Sequence, residues 1–250
     1  MVERTPLLVA AYPKSGSTWL TRLLGNALDS PTGGSIASED ANEVATEGQD
    51  RPGPYIVRKG HYRLINDVPG PAIPAPHRLA WKCLDGEKVI FLTRDPRDVC
   101  VSGAHYWRQP PEQFLNRMVS GDVAKLPAWH IYVDQWLAKR NYFPLALISY
   151  EALLYDAEYS LRSLMDRLKL EYDPARLPGV VMRQSFDARK NDYDGPHPDQ
   201  HAAIMRRGVA GGWMEYFNQR MGRMCQAHFG ATMARLGYVT DAGWWRELPE

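Results

Sequence analysis

Three short stretches of this 250-residue sequence put cations, hydroxyls and an imidazole at spacings that a phosphate- or sulfate-handling site would need. The first is Tyr12-Pro13-Lys14-Ser15-Gly16-Ser17-Thr18-Trp19, where an ammonium and three hydroxyls surround a single glycine. Backbone N–H groups at the open end of a helix attract an anion; Lys14 adds charge, Ser15, Ser17 and Thr18 add donors, and Gly16 lets the chain approach its guest. The second runs from Arg94 to Ser102. If a helix begins at Asp95, Ser102 lies about two turns on and returns over the face where the helix started, so that Arg94 and Ser102 can share a ligand. The third is Lys59-Gly60-His61, a cation beside an imidazole whose ordinary pKa of about 6.5 suits proton transfer near neutrality.

Each stretch is fed by an apolar run. Leu7-Leu8-Val9-Ala10-Ala11 precedes the lysine loop, and Trp19, Leu20, Leu23, Leu24, Ala27 and Leu28 follow it at helical spacing, which reads as strand, tight loop, helix. Tyr55-Ile56-Val57 leads into Arg58-Lys59-Gly60-His61, Val89-Ile90-Phe91-Leu92 into Thr93-Arg94, and Leu145-Ala146-Leu147-Ile148 into Ser149-Tyr150-Glu151. Parallel strands buried on both faces give such runs, and open sheets take ligands beyond the strands' carboxyl ends. Asp95 reads as an N-cap, Pro96 as the first helical residue and Asp98 as a complement to the helix dipole, with the helix running to about Tyr106.

The expected fold is therefore α/β: a single domain over residues 1–250 with a central, mostly parallel sheet flanked by helices and a P-loop-like anion loop. Residues 111–140 read as one or two helices, 157–170 as an amphipathic helix, and Trp213 to Leu236 as a final helix broken near Gly222 or Gly230. Residues 29–54 read as a long surface loop and about 187–212 as a flexible lid.

Thirty basic against 29 acidic residues give a net charge of +1, which argues against nucleic acid as the main partner and makes any anion site local. Cys83, Cys100 and Cys225 lack C-x-x-C spacing, so neither a zinc site nor a disulfide framework is expected, and a reducing compartment fits. The N-terminal apolar run is too short for a signal peptide or membrane span, so a cytoplasmic protein without membrane contact is the expectation. His197-x-x-x-His201 has metal-pair spacing, but Pro196 and Pro198 oppose a helix there, and no metal is assigned.

The lysine loop fails the pattern G-x-x-x-x-G-K-[ST], because Lys14 precedes the only glycine. It closely resembles instead the 5′-phosphosulfate loop of the sulfotransferases that use 3′-phosphoadenosine 5′-phosphosulfate (PAPS). Arg94 through Ser102 resembles that family's 3′-phosphate motif, and Tyr150-Glu151-Ala152-Leu153 matches another of its patterns. Arg206-Arg207-Gly208-Val209-Ala210-Gly211-Gly212-Trp213 resembles its C-terminal signature, with Arg207 in place of Lys and Gly212 in place of Asp. Lys59-x-His61 resembles its catalytic Lys-Thr/Ser-His, with Gly60 replacing the hydroxyl residue and Tyr62-Arg63 replacing Leu-Pro.

The resemblance spans Leu7 to about Trp213. It implies a soluble transferase with PAPS as co-substrate, 3′,5′-diphosphoadenosine (PAP) as product, no required metal, and a small-molecule acceptor. Lys14, Lys59, His61 and Ser102 would form the catalytic set, with His61 as general base. The donor would be held by Lys14, Ser15, Gly16, Ser17 and Thr18 at one end, and by Arg94, Ser102, Arg206, Arg207 and Gly208 at its 3′-phosphate. Trp19 and Phe186 would sandwich the adenine, with Tyr150 at its edge.

Two other classes stand beside this one. In a P-loop kinase Asp95 would hold Mg²⁺, and a catalytically silent nucleotide-binding protein is conceivable from the Gly60 and Gly212 departures. Tyr62, Tyr106, Trp107, Trp129 and Tyr142 suggest an aromatic pocket for a phenol or alcohol, though core packing explains them equally well. The sequence sets neither the acceptor nor the oligomeric state.

Overall fold

The apolar run ahead of Lys14 becomes the middle strand of a five-stranded sheet in which every pairing is parallel. The computed structural model describes residues 4–33, 47–61, 63–65, 78–80, 88–141, 144–191 and 207–250. Its strands are β1 (Thr5–Ala11), β2 (Thr32–Gly33), β3 (Tyr55–Gly60), β4 (Arg63–Ile65), β5 (Arg78–Ala80), β6 (Lys88–Thr93) and β7 (Leu145–Ser149). The main sheet runs β2-β3-β1-β6-β7, while β4 and β5 pair separately. The chain leaves β1 towards β3 on one side and reaches β6 on the other, so the strand order reverses at β1. That is where an open sheet leaves a crevice.

The helices are α1 (Ser17–Ala27), α2 (Pro96–Tyr106), α3 (Pro111–Ser120), α4 (Trp129–Ala138), α5 (Tyr150–Tyr155), α6 (Ala157–Arg167), α7 (Leu177–Arg183), α8 (Phe186–Asn191) and α9 (Gln219–Arg235). Two apolar layers sandwich the sheet. Leu8, Ala10, Val89 and Phe91 face a layer built from α2, α3, α4 and α9, in which Phe91 stacks on Trp136 with centroids 5.5 Å apart. Leu7, Val9, Ala11, Ile90 and Leu92 face α1, α6 and α7. Successive side chains of a strand point to opposite faces, so a strand covered on both must be apolar throughout. Leu7 to Ala11 are all fully buried.

Helix α2 begins as expected. The Asp95 carboxylate accepts from the Arg97 N–H at 2.9 Å and Pro96 opens the helix. Residues 111–140 hold two helices, separated where Gly121 adopts φ 77° at the end of α3. The sheet is parallel in every pairing, rather than mostly so. Within the 29–54 stretch the structure adds the two-residue strand β2, and residues 34–46 lie outside the description. Of the expected lid, Asp187–Asn191 are helical and 192–206, with Arg206, His197 and His201, lie outside it; so do Tyr62, Cys83 and Tyr142.

The final helix departs from expectation at both points. It starts at Gln219, where the Asn218 side chain accepts from the Met221 N–H at 3.0 Å, and Gly212–Glu215 form a separate 3₁₀ turn. It then runs unbroken through Gly222 and Gly230. At Gly222 the missing side chain makes room for a neighbour: a Cβ would lie 2.6 Å from the Trp245 Cβ. Alanine normally favours a helix interior over glycine by about 1 kcal/mol. Here the clash wins, and we expect Gly222→Ala to destabilise the protein by about 1–3 kcal/mol in urea unfolding. A variant more stable than the parent would contradict that packing.

Candidate active site

Parallel pairing brings Ala10 opposite Gly60 and Ala11 opposite Leu92, so the residues that follow β3, β1 and β6 emerge side by side. Tyr150, just after β7, completes the row. At this edge lies a cavity of about 290 Å³. From the loop and α1 its wall takes Lys14, Gly16, Ser17, Thr18 and Trp19; from the end of β3, Lys59 and His61; from β6 and α2, Arg94 and Ser102. Tyr150, Phe186, Arg207 and Gly208 close it. Ser15 is the one described site candidate off the wall: it is 1% exposed, and its Oγ has no hydrogen-bond partner among the described residues.

The loop conformation depends on two left-handed residues, Lys14 at φ 69° and Gly16 at φ 95°. Gly16 has a second reason to lack a side chain, since a Cβ there would meet the Tyr150 ring at 2.6 Å. Arg94 braces this turn. Its guanidinium donates to the Lys14 carbonyl at 3.1 Å and to the Val209 carbonyl at 3.2 Å, and lies 4.1 Å above the Tyr150 ring. The N–H groups of the first turn of α1 have no partner within the helix and are left for a guest.

Six cations line the cavity, Lys14, Arg22, Lys59, Arg94, Arg189 and Arg207, and no carboxylate does among the described residues. In a chain of net charge +1 this is a local concentration of positive charge. The Lys14 ammonium sits 4.0 Å over the Tyr106 ring. Burial first, and then the charges of Arg94 and Lys59, lower its pKa from 10.5 to about 7. Lys59 Nζ donates to Thr18 Oγ1 at 3.3 Å. His61 Nδ1 lies 2.7 Å from the Ala11 carbonyl, which also accepts from the Tyr132 hydroxyl at 2.9 Å. A carbonyl can only accept, so Nδ1 carries the hydrogen and the neutral ring keeps its lone pair on Nε2.

The aromatic residues divide. Trp19 Nε1 donates to the Gln184 carbonyl at 2.8 Å, and its ring meets Tyr150 edge-on at 5.7 Å. Phe186 rests against Gly208, where a Cβ would fall 2.3 Å from its ring. Tyr106 and Trp107 line the cavity, packed edge-to-face at 4.7 Å. Trp129 does not: it is 1% exposed and packs on Phe229 within the core.

Carboxylates stand behind the wall. Asp95, considered above as a metal ligand, is committed to Arg97 through contacts of 2.9 and 2.6 Å. Asp98 does more than complement a dipole, because it accepts from the Gly211 N–H at 2.7 Å and the Trp213 N–H at 3.0 Å. It thereby anchors the segment that carries Gly208 and Val209. Burial raises its carboxyl pKa, opposed by Arg94 and those two amides. Arg207 faces the cavity with its guanidinium already paired to Glu215 at 2.6 Å. Sequence reasoning missed Arg22, Gln184 and Arg189 on the wall; the one local signal was Arg22, three residues past Trp19 on α1.

Compared with known proteins, the sequence matches the sulfotransferase domain family over residues 4–237. Sulfotransferase 2A6 of Mus musculus is 27% identical over 241 residues, covering 87% of this chain and 80% of that protein. Sulfotransferase 1A1 of Bos taurus is 26% identical over 255 residues, covering 91% and 83%. Among solved structures, mouse sulfotransferase SULT7A1 complexed with PAP aligns with a TM-score of 0.71 at 22% identity, over 94% of this chain and 87% of that one. A retinol dehydratase complex with retinol and PAP aligns at 0.64 and 18%, over 93% and 82%.

Between pH 7 and 10.5 an unfolded chain protonates Lys14 while the unliganded fold does not, so the penalty this residue places on folding, complete below pH 7, shrinks as pH rises through that window. A bound polyanion reverses the balance by drawing the proton back. We expect binding of inorganic sulfate, which carries no proton of its own at pH 8, to take up close to one proton, measured by calorimetry in buffers of different ionisation enthalpy. In Lys14→Met that uptake should vanish; uptake unchanged in the variant would assign it elsewhere.

Proposed function

Because this chain belongs to the sulfotransferase domain family, we propose that it moves a sulfuryl group from PAPS to a hydroxyl or amine of a small acceptor by in-line displacement. The observation that carries this reading is the convergence of Lys14, Arg94 and His61 on one cavity without a carboxylate among the described residues, with Arg94 bonded to the carbonyl of Lys14 itself. The donor's 5′-phosphosulfate fits the β1–α1 loop, with its open helix end, Lys14 and the Ser17 and Thr18 hydroxyls; Ser15, whose N–H donates to the Tyr12 carbonyl at 3.2 Å, serves there by closing the turn. The 3′-phosphate fits Arg94, Ser102, Arg207 and the Gly208 backbone, and Arg206 joins them by resemblance. Adenine fits between Trp19 and Phe186, with Tyr150 at its edge.

The acceptor oxygen attacks sulfur as the bond from sulfur to the 5′-phosphate oxygen breaks, and the electron pair of that bond leaves with PAP. The acceptor's proton passes to His61 Nε2, the nitrogen left basic by the bond from Nδ1 to the Ala11 carbonyl. Lys14 neutralises charge growing on the bridging oxygen, and Lys59, steadied by Thr18, faces the transferring group. Ser102 steadies the far phosphate, so that the reacting end stays in line. Tyr106 and Trp107 give the acceptor a flat apolar wall, which favours a phenol or alcohol.

The test is a panel of phenols, alcohols and amines incubated with isotopically labelled PAPS and read by mass spectrometry. We expect transfer to at least one of them, undiminished by a chelator and absent with ATP as donor. His61→Ala should lower kcat by about 10²–10⁴-fold and Lys14→Ala by about 10²-fold or more, with both variants still folded by circular dichroism. A near-normal rate in either variant would remove that residue's role, and phosphoryl transfer from ATP alone would overturn the reading.

A further inference from the structure

Glu47 stands outside the cavity wall yet joins two elements that build it. Its backbone is held on both sides by Thr32 of β2: the Glu47 N–H donates to Thr32 Oγ1 at 2.8 Å, and the Thr32 N–H donates to the Glu47 carbonyl at 2.9 Å. One carboxylate oxygen, Oε1, then meets Arg22 Nε at 2.7 Å and an Arg189 Nη at 3.0 Å. Arg22 follows Trp19 by three residues on α1, and Arg189 follows Phe186 by three on α8. A step of three returns to nearly the same side of a helix. Each arginine is thus the near neighbour of one of the two rings that flank the purine slot.

The three charged side chains are 6%, 20% and 21% exposed, which keeps solvent screening of the triad modest. Two guanidiniums brought to one point repel, and the Glu47 carboxylate between them offsets that repulsion where α8 approaches α1. The bond from Trp19 to the Gln184 carbonyl ties the same two regions once more, just ahead of Phe186. Arg22 and Arg189 reach the cavity while Glu47 does not, so its carboxylate acts on a ligand only through them.

We propose that Glu47 is a positioning residue for the donor's purine: by pairing Arg22 with Arg189 it sets the separation of Trp19 and Phe186. The inference rests on the donor reading above, and its effect belongs to the base rather than to the phosphates. It is tested with Glu47→Gln, and with Arg189→Met, which severs the α8 arm and also removes a cavity cation, a loss that the ratio of two ligands bearing the same phosphates cancels. Each is titrated with PAP and with ribose 3,5-bisphosphate, the same two phosphates without the base, alongside donor kinetics and melting temperature.

We expect the ratio of PAP affinity to ribose bisphosphate affinity to fall about tenfold in both variants, and KM for PAPS to rise by more than kcat falls. Glu47→Gln combined with Phe186→Ala should bind PAP no more weakly than Phe186→Ala alone, because the slot then has one wall left to misplace. An unchanged ratio in both variants, or additive losses in the double variant, would overturn the proposal and leave the donor reading intact. Wild-type protein that binds neither ligand would overturn both.

Discussion

One guanidinium, that of Arg94, joins the separate parts of the site. Neighbouring strands of a sheet lie about 4.8 Å apart, so the loops that leave β1, β6 and β7 emerge within a side chain's reach of one another. Arg94 uses that reach to bond Lys14 on one side and Val209 on another while covering Tyr150. Lys14 needs the support. A non-glycine residue in the left-handed region costs about 1 kcal/mol or more, and it persists only where its surroundings dictate it. The same guanidinium that holds the strained lysine also holds the segment through which the chain returns to the cavity, so the two sides of the cavity are referred to one point.

The price of this arrangement is electrostatic. Cations crowd a wall without carboxylates among the described residues, and the free protein relieves the strain by weakening the hold of Lys14 on its proton. The carboxylates that offset the charge stand one layer back, each with structural work: Asp95 on Arg97, Asp98 on two backbone amides, Glu47 between two arginines. None competes with a phosphate for the cavity. Such a site is least comfortable when empty, which is the ordinary cost of preorganisation for an anion.

The sequence made the strands and the anion loop legible for a simple reason. A strand covered on both faces has no solvent side, so Leu7 to Ala11 and Val89 to Leu92 could hardly read otherwise. The Asp95-Pro96 start of α2 was equally local. What escaped was set by contacts far along the chain. Asp98 looked like a dipole complement because its partners, Gly211 and Trp213, lie more than a hundred residues away. Trp213 looked helical, but Gly211 at φ 78° precedes a short 3₁₀ turn, and the helix waits for its cap at Asn218. Gly222 looked like a helix breaker, yet it is where Trp245 packs. Glu47 gave no signal at all, since its part is visible only once α1 and α8 are brought together.

The central claim is that one cavity grips a doubly phosphorylated adenosine from both ends, with Lys14 at one phosphate and Arg94 at the other. A crystal structure of the complex with PAP tests it most directly. The account predicts the 5′-phosphate within hydrogen-bond distance of Lys14 Nζ and the N–H groups that open α1, the 3′-phosphate on Arg94 and Ser102, and the adenine between Trp19 and Phe186. PAP bound in the reverse sense, or away from the carboxyl edge of β1 and β6, would contradict it.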